Sequence, residues 1–153
     1  MSHDIKELKP QRGSKSRYKQ GYINPGACKK LFPGQEHIPI IYRSSYELRF
    51  IEWCEKSDKV KHWGSECLKI PYYSVLDKKQ HSYYPDYVLE LTSGEIWVVE
   101  IKPYSQTKKP INENCWASKE WIKNMCKWKA AQDFCKSRGL KFKIYTEHTI
   151  ENL

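Results

Sequence analysis

Apolar residues recur along this chain with two different periods, and the changes of period mark its predicted elements. A spacing of three and four residues predicts one helix from Ser44, its N-cap, to about Glu55. A second helical pattern runs from about Trp116 to Lys136 and ends near Gly139. Alternating apolar and polar positions predict strands at 60–63, 67–73, 83–91, 96–102 and 141–146.

The turn between the third and fourth of these strands decides which residues face each other. If its loop comprises the three residues 92–94, counting outward places Asp86 opposite Glu100. Directly opposed residues have Cβ atoms about 5 Å apart, which is within reach of one ion. A two-residue loop would pair Asp86 with Ile101 instead. The three-residue loop therefore predicts a pair of neighbouring carboxylates.

A lysine follows this pair at a spacing that matters chemically. Lys102 stands two residues after Glu100, so both point to the same face of their strand. Carboxylate oxygens are hard ligands for a divalent cation, and an ammonium beside them can meet a nucleophilic water or a scissile phosphate. Asp86, Glu100 and Lys102 together predict a metal-dependent phosphodiesterase that cuts DNA.

Glu47 has two interpretations that the local sequence leaves open. The S-x-x-E pattern from Ser44 is a capping box, in which the glutamate returns to the amide of the cap. On a helical wheel, however, Glu47 falls within the apolar arc with Phe50 and Cys54. A carboxylate on a face that packs into the core needs a cation nearby, which favours a place in the site.

Charge divides the chain into two parts. Its 153 residues fit one globular domain and carry a net charge of +9. Residues 1–35 hold eight Lys and Arg against only Asp4 and Glu7, without apolar periodicity. We expect a loosely ordered basic arm over 1–39 and a nuclease domain over 40–153. The arm predicts a polyanionic partner, although it is also compatible with a solubilising tail.

Several function classes are disfavoured by the same composition. No apolar run approaches the roughly 18 residues that span a bilayer, and no hydrophobic signal region is evident, so we expect a cytoplasmic protein without a membrane partner. The six cysteines stand singly and the five histidines are scattered, which disfavours a zinc site.

Polar groups outside the central set are candidates for DNA contacts. Lys108 and Lys109 lie in the basic loop 104–110, directly after the strand that carries Lys102. On the second helix, Lys129 and Gln132 could reach the metal's waters or a phosphate, although lysines on helix surfaces are usually only solvated.

The order of helix-borne Glu47, Pro85-Asp86 and Glu100-Ile101-Lys102 resembles the PD-(D/E)xK nuclease superfamily. Within it, the chain is similar to the head completion nucleases of T-even-type tailed phages. This similarity rests on five segments in the same order: YRSSYE at 42–47, WGSE at 63–66, IPY at 70–72, EIKP at 100–103 and WKAAQ at 128–132.

The resemblance implies an α/β fold with a restriction-endonuclease-like core, in which helices flank a central mixed β-sheet. It implies Mg²⁺ as cofactor, with Mn²⁺ as a substitute, and cleavage of double-stranded DNA in the host cytoplasm. It further implies a role in completing the head before tail joining, with phage head or neck proteins as partners and a location on the virion head as a second possibility.

The resemblance also assigns roles to single residues. Asp86, Glu100 and the backbone carbonyl of Ile101 would hold the metal, with Glu47 on a second ion or its waters. Lys102 would orient the attacking water.

Arg43 and Ser65 would brace the site or a phosphate. Two alternatives remain: a DNA-binding structural head or neck protein with a vestigial site, and a transposon-end or restriction-type endonuclease. Neither the endonucleolytic or exonucleolytic mode nor a monomeric or dimeric state follows from the sequence.

Overall fold

A computed structural model describes residues 5–7, 20–112 and 116–153. The strands and helices, in chain order, are β1 (Ile5–Glu7), β2 (Gly21–Ile23), β3 (Ile40–Tyr42), α1 (Ser45–Lys56), β4 (Val60–Ser65), β5 (Ile70–Ser74), β6 (Lys79–Tyr83), β7 (Tyr87–Leu91), β8 (Ile96–Ile101), α2 (Trp116–Arg138), β9 (Lys141–Tyr145) and α3 (Glu147–Glu151). No helix within these ranges has the length and apolar character needed to cross a bilayer.

A four-stranded mixed sheet forms the centre of the fold, in the order β4-β7-β8-β9. The β4–β7 and β7–β8 pairs are antiparallel, whereas β8 and β9 run parallel. A parallel pair needs a long crossover, and α2 supplies it between these two strands. The predicted α/β fold with a central mixed sheet is therefore confirmed.

Both faces of the central sheet are covered. Helix α1 packs on one face, where Phe50 and Ile51 join Tyr87, Leu89 and Val99 in the larger core cluster. On the other face, α2 and the β5–β6 hairpin form a second cluster. Its buried members are Ile70, Tyr72, Tyr83, Trp128 and Ala131. The end of the sheet that carries Glu100 thus lies between two cores.

The register of the β7–β8 hairpin agrees with the three-residue loop. Tyr87 pairs with Val99, and the amide of Leu91 donates to the carbonyl of Glu95 at 2.8 Å. Gly94 closes the loop with a φ of 93°, a conformation that glycine adopts without strain. Continuing this register by one residue puts Asp86, just before the first residue of β7, opposite Glu100.

The predicted strand 83–91 is wrong as a single element, because it is two strands separated by residues 84–86. Pro85 has no amide hydrogen for a ladder and interrupts the pairing. Tyr83 therefore belongs to the β5–β6 hairpin, where it pairs with Ile70, and not to the central sheet. This break brings a tyrosine from outside the sheet toward its carboxylates.

The described part of the predicted arm packs against the domain instead of remaining loose. Ile23 is fully buried, and β2 pairs with β3. The carboxylate of Glu55 accepts the amides of Lys29 and Lys30 at 2.7 and 3.1 Å, and the indole N–H of Trp63 at 2.9 Å. A buried acceptor therefore fixes a segment that lacks apolar periodicity. Residues 1–4 and 8–19 of the arm lie outside the described ranges.

The three donors on Glu55 give a stability prediction. Glu55→Gln replaces one acceptor oxygen with an amide group that cannot accept, so at least one buried N–H loses its partner. We expect a loss of about 2–3 kcal/mol in the free energy of unfolding, measured by urea denaturation. Glu52→Gln, on the same helix, makes the same charge change and should shift it by less than about 0.5 kcal/mol. Equal midpoints for the two variants would contradict the role given to Glu55.

Candidate active site

Asp86 and Glu100 approach each other at the edge where β7 begins and β8 ends. Asp86 Oδ2 accepts the amide hydrogen of Ile101 at 2.8 Å, and the two carboxyl groups are hydrogen-bonded to each other. Glu100 is buried, with 7% of its surface exposed. Burial raises the pKa of both groups, and the charge of Asp86 raises that of Glu100 further. The pair can therefore hold a proton or a cation between its oxygens.

Lys102 is the one cation of the described residues within 4 Å of a carboxyl oxygen of this pair. Its Nζ lies 3.9 Å from Glu100 Oε1, and its side chain is 22% exposed. It also lines a cavity of about 490 Å³ that opens between the start of α1 and the end of β8. Lys102 thus contacts the buried pair on one side and an open cleft on the other.

Glu47 lines the same cavity from α1. Ser44 caps the helix, since its hydroxyl accepts the Glu47 amide at 3.2 Å. The Glu47 carboxylate accepts the amide of Arg43, one residue before the cap, so it does not close the reciprocal half of a capping box on Ser44. Burial raises its pKa to about 7. The Glu47 carboxylate therefore lies at the cleft and is held there by a hydrogen bond from the backbone just before α1.

The donor set fits a divalent cation at the Asp86–Glu100 pair. Two mutually hydrogen-bonded carboxyl groups offer the hard oxygen ligands that Mg²⁺ prefers, and a cation would replace their shared proton. Within the described ranges, no group of three or more His, Cys, Asp or Glu side chains is close enough to hold one ion. Glu47 is accordingly separate from the pair, and the negative charge of Asp86 contributes to its raised pKa.

Arg43 and Ser65 lie at the rim of this region. The guanidinium of Arg43 forms an ion pair with Glu66 at 2.8 Å and lines the cavity. Ser65 ends β4 and pairs with Tyr87, the residue after Asp86.

The two lysines of the loop after β8 lie over aromatic rings. Lys108 Nζ is 4.6 Å from the ring centroid of Tyr104, and Lys109 Nζ is 6.0 Å from that of Trp121. Both ammonium groups are exposed on the loop that leaves the site, which keeps them available to a phosphate backbone.

Lys129 and Gln132 are not brought to the carboxylates. They line a groove between α2 and β9, together with Ile144. The ammonium of Lys129 lies 3.8 Å from Asp133, one turn further along the same exposed face.

Tyr83 is a site residue that the sequence analysis missed. Its hydroxyl donates to Glu100 Oε2, and it is hydrogen-bonded in turn to the indole of Trp128 on α2. The helix, the hairpin and the carboxylate are thereby joined in one chain of contacts. The signal available in the sequence was Pro85, because a break there frees Tyr83 from the strand that begins directly after Asp86.

Two comparisons with known proteins bear on this site. Residues 57–147 match the family model described as TnsA-like endonuclease N terminal. The matched range contains Asp86, Glu100 and Lys102, whereas Glu47 precedes it. The chain is also 37% identical over 124 residues to the head completion nuclease of Enterobacteria phage T4, covering 74% of this chain and 83% of that protein.

The raised pKa values predict how stability varies with pH when no metal is supplied. Glu47 and Glu100 hold protons in the folded state at a pH where the unfolded chain has released them. The free energy of unfolding in EDTA should therefore fall as the pH rises from about 5 to 7, by about 1.4 kcal/mol per pH unit for each extra proton bound. Urea denaturation at several pH values measures this slope.

Glu100→Gln removes one of these protons and the repulsion from Asp86. We expect a shallower slope and a variant more stable than the wild type at pH 8 in EDTA. Glu90→Gln, on the neighbouring strand, removes a partly exposed carboxylate that His62 and Lys61 hold at a lowered pKa, so it should leave the slope unchanged. A wild-type slope in the Glu100→Gln protein would refute the assignment.

Proposed function

Because the chain belongs to the TnsA-like endonuclease N-terminal family, we propose that it is a divalent-cation-dependent deoxyribonuclease with a PD-(D/E)xK core. The observation that carries the proposal is the pair formed by Asp86, directly before β7, and the buried Glu100 of β8, with Lys102 Nζ 3.9 Å from Glu100 Oε1. Two carboxylates and an ammonium at this spacing supply what phosphodiester hydrolysis needs.

Each of these side chains would have its own role in hydrolysis. Asp86 and Glu100 would hold Mg²⁺, or Mn²⁺ in its place, with the backbone carbonyl of Ile101. Glu47 would bind a second ion or its waters from the other side of the cleft. A bound divalent cation lowers the pKa of a water and offsets the negative charge that builds on the phosphate. Lys102 would hold the attacking water and stabilise the charged oxygens, a task suited to a compact ammonium.

Double-stranded DNA is the proposed substrate, and cleavage would have low sequence specificity. The net charge of +9 and the exposed lysines of the loop after β8 favour contacts with phosphates. Contacts of this kind position a duplex without reading its bases. Arg43, Lys108, Lys109, Lys129 and Gln132 are the proposed contact residues.

A role in completing phage heads is proposed from the similarity to a protein that bears this name. The enzyme would act in the host cytoplasm and on the virion head, with head or neck proteins as partners, before the tail joins. A DNA-binding structural protein with a vestigial site is a weaker candidate, because the acids and the lysine are all retained.

A site-directed endonuclease of the transposon-end type is the second candidate, and the match to a TnsA-like endonuclease family favours it. The two candidates differ in their products. Low specificity gives a continuous distribution of fragment lengths from a plasmid, whereas site-directed cleavage gives discrete bands.

Cleavage of supercoiled plasmid tests the proposed activity. We expect wild-type protein to cut DNA with Mg²⁺ and not with EDTA. Asp86→Asn and Lys102→Ala should each lower the rate by at least about 10²-fold, because each removes a group that acts on the charged transition state. Circular dichroism checks that both remain folded.

Lys61→Ala is the matched control for the lysine variant. It removes the same charge from an exposed lysine on β4 that pairs with Glu90, so it should cut at nearly the wild-type rate. Wild-type rates in purified Asp86→Asn or Lys102→Ala protein would defeat the proposal.

A further inference from the structure

Lys127 projects from α2 toward the β5–β6 hairpin and occupies an unusual position for a lysine. Its Nζ lies 5.5 Å from the ring centroid of Tyr83 and 5.9 Å from that of Tyr72. Both rings are 4% exposed, so they form a closed aromatic floor beneath the ammonium. One of these rings belongs to the tyrosine that donates to Glu100, which places Lys127 beside the candidate active site.

No carboxylate among the described residues lies within 4 Å of this ammonium. Other lysines of the domain do have such partners: Lys61 pairs with Glu90, and Lys129 with Asp133. Burial lowers the pKa of Lys127, and nearby Lys123 and Lys102 lower it further against the attraction of Glu100 and Glu120. A half-buried cation among like charges is costly unless an anion joins it.

The lysines of α2 also form a line that leads to this position. Lys119, Lys123 and Lys127 follow each other at intervals of four residues, which puts them on one side of the helix. The line ends next to Lys102 and the carboxylate pair. A chain of phosphates with regular spacing is an anion that can meet several such lysines at once.

We propose that Lys127, supported by Lys123, forms a phosphate-binding subsite for the DNA backbone next to the scissile phosphodiester. The inference rests on the proposed function and adds a second contact to it. Lys102 meets the phosphate that is cut, and Lys127 holds a neighbouring phosphate of the same strand. The aromatic floor excludes base stacking, since the ammonium covers both rings and neither is open to a base.

Lys129 is the lysine of this helix that the sequence pattern favours, and the structure places the two lysines in different surroundings. Lys129 lies on the groove with Ile144, whereas Lys127 faces the hairpin. Lys127 and Lys129 are two positions apart, so their side chains point about 200° apart around the helix axis and have different surroundings.

Binding of a fluorescein-labelled DNA duplex by the full chain tests the subsite. Fluorescence anisotropy is recorded in EDTA over a series of salt concentrations, so that no cleavage occurs. Lys127→Met keeps the aliphatic stem over the tyrosine rings and removes only the charge. We expect its affinity to fall about tenfold at low salt and the slope of log K against log salt to shrink by about 1.

Lys136→Ala and Lys127→Arg are the controls. Lys136 is an exposed lysine nine residues further along the same helix, and its loss should change affinity less than about twofold. Lys127→Arg retains a cation and should retain the slope. Thermal unfolding of each variant, compared with the wild type, separates lost binding from lost structure.

A wild-type slope and affinity in Lys127→Met would overturn the subsite, as would a wild-type protein with no affinity for the duplex. Plasmid cleavage decides the proposed function independently. If wild type cleaves and Lys127→Met binds as tightly, only the subsite fails. If wild type does not cleave with Mg²⁺ while the slope shrinks as expected, the nuclease fails and the phosphate site stands.

Discussion

Two carboxyl groups within hydrogen-bonding distance of each other, at the buried end of a strand pair, are the constraint around which this molecule is arranged. Asp86 and Glu100 meet because the β7–β8 hairpin has a three-residue loop, and a register shifted by one residue would separate them. Both carboxyl groups are poorly solvated, so protein groups must donate the hydrogen bonds that water would otherwise donate. The amide of Ile101 and the hydroxyl of Tyr83 do so, each donating to one member of the pair.

Burial of these two carboxyl groups destabilises the fold, and contacts elsewhere in the structure offset this effect. Two core clusters cover the two faces of the sheet, and Glu55 adds three hydrogen bonds that join α1, β4 and the segment before β3. Strain and unfavourable charge collect at sites that act on ligands, where surrounding structure maintains them. The charged pair is thus locally unfavourable within a well-packed domain, and a proton between the oxygens relieves the repulsion, as the proposed cation would.

Local patterns in the sequence were sufficient for the two long helices, for β8 and for the turn that brings Asp86 to Glu100. Helical spacing gave α1 and α2 almost to their ends, and the loop at 92–94 gave the register of Asp86 and Glu100. The contacts of Tyr83 and Lys127 could not be found in this way, since they join elements that are distant along the chain. The packing of residues 21–31 was missed for a related reason, because a single buried carboxylate on α1 fixes that segment. A contact that depends on a single residue produces no periodic pattern in the sequence.

The contacts from Trp128 through Tyr83 to Glu100 restrict which substitutions can be accepted at these three positions during evolution. A phenylalanine at position 83 would preserve the packing but deprive both the indole and the carboxylate of a partner. Replacing any one of these three residues therefore leaves a polar group without its hydrogen-bond partner, unless a second residue of the three is replaced as well. We expect the three positions to covary among relatives, with the hairpin, the helix and the sheet evolving as one unit.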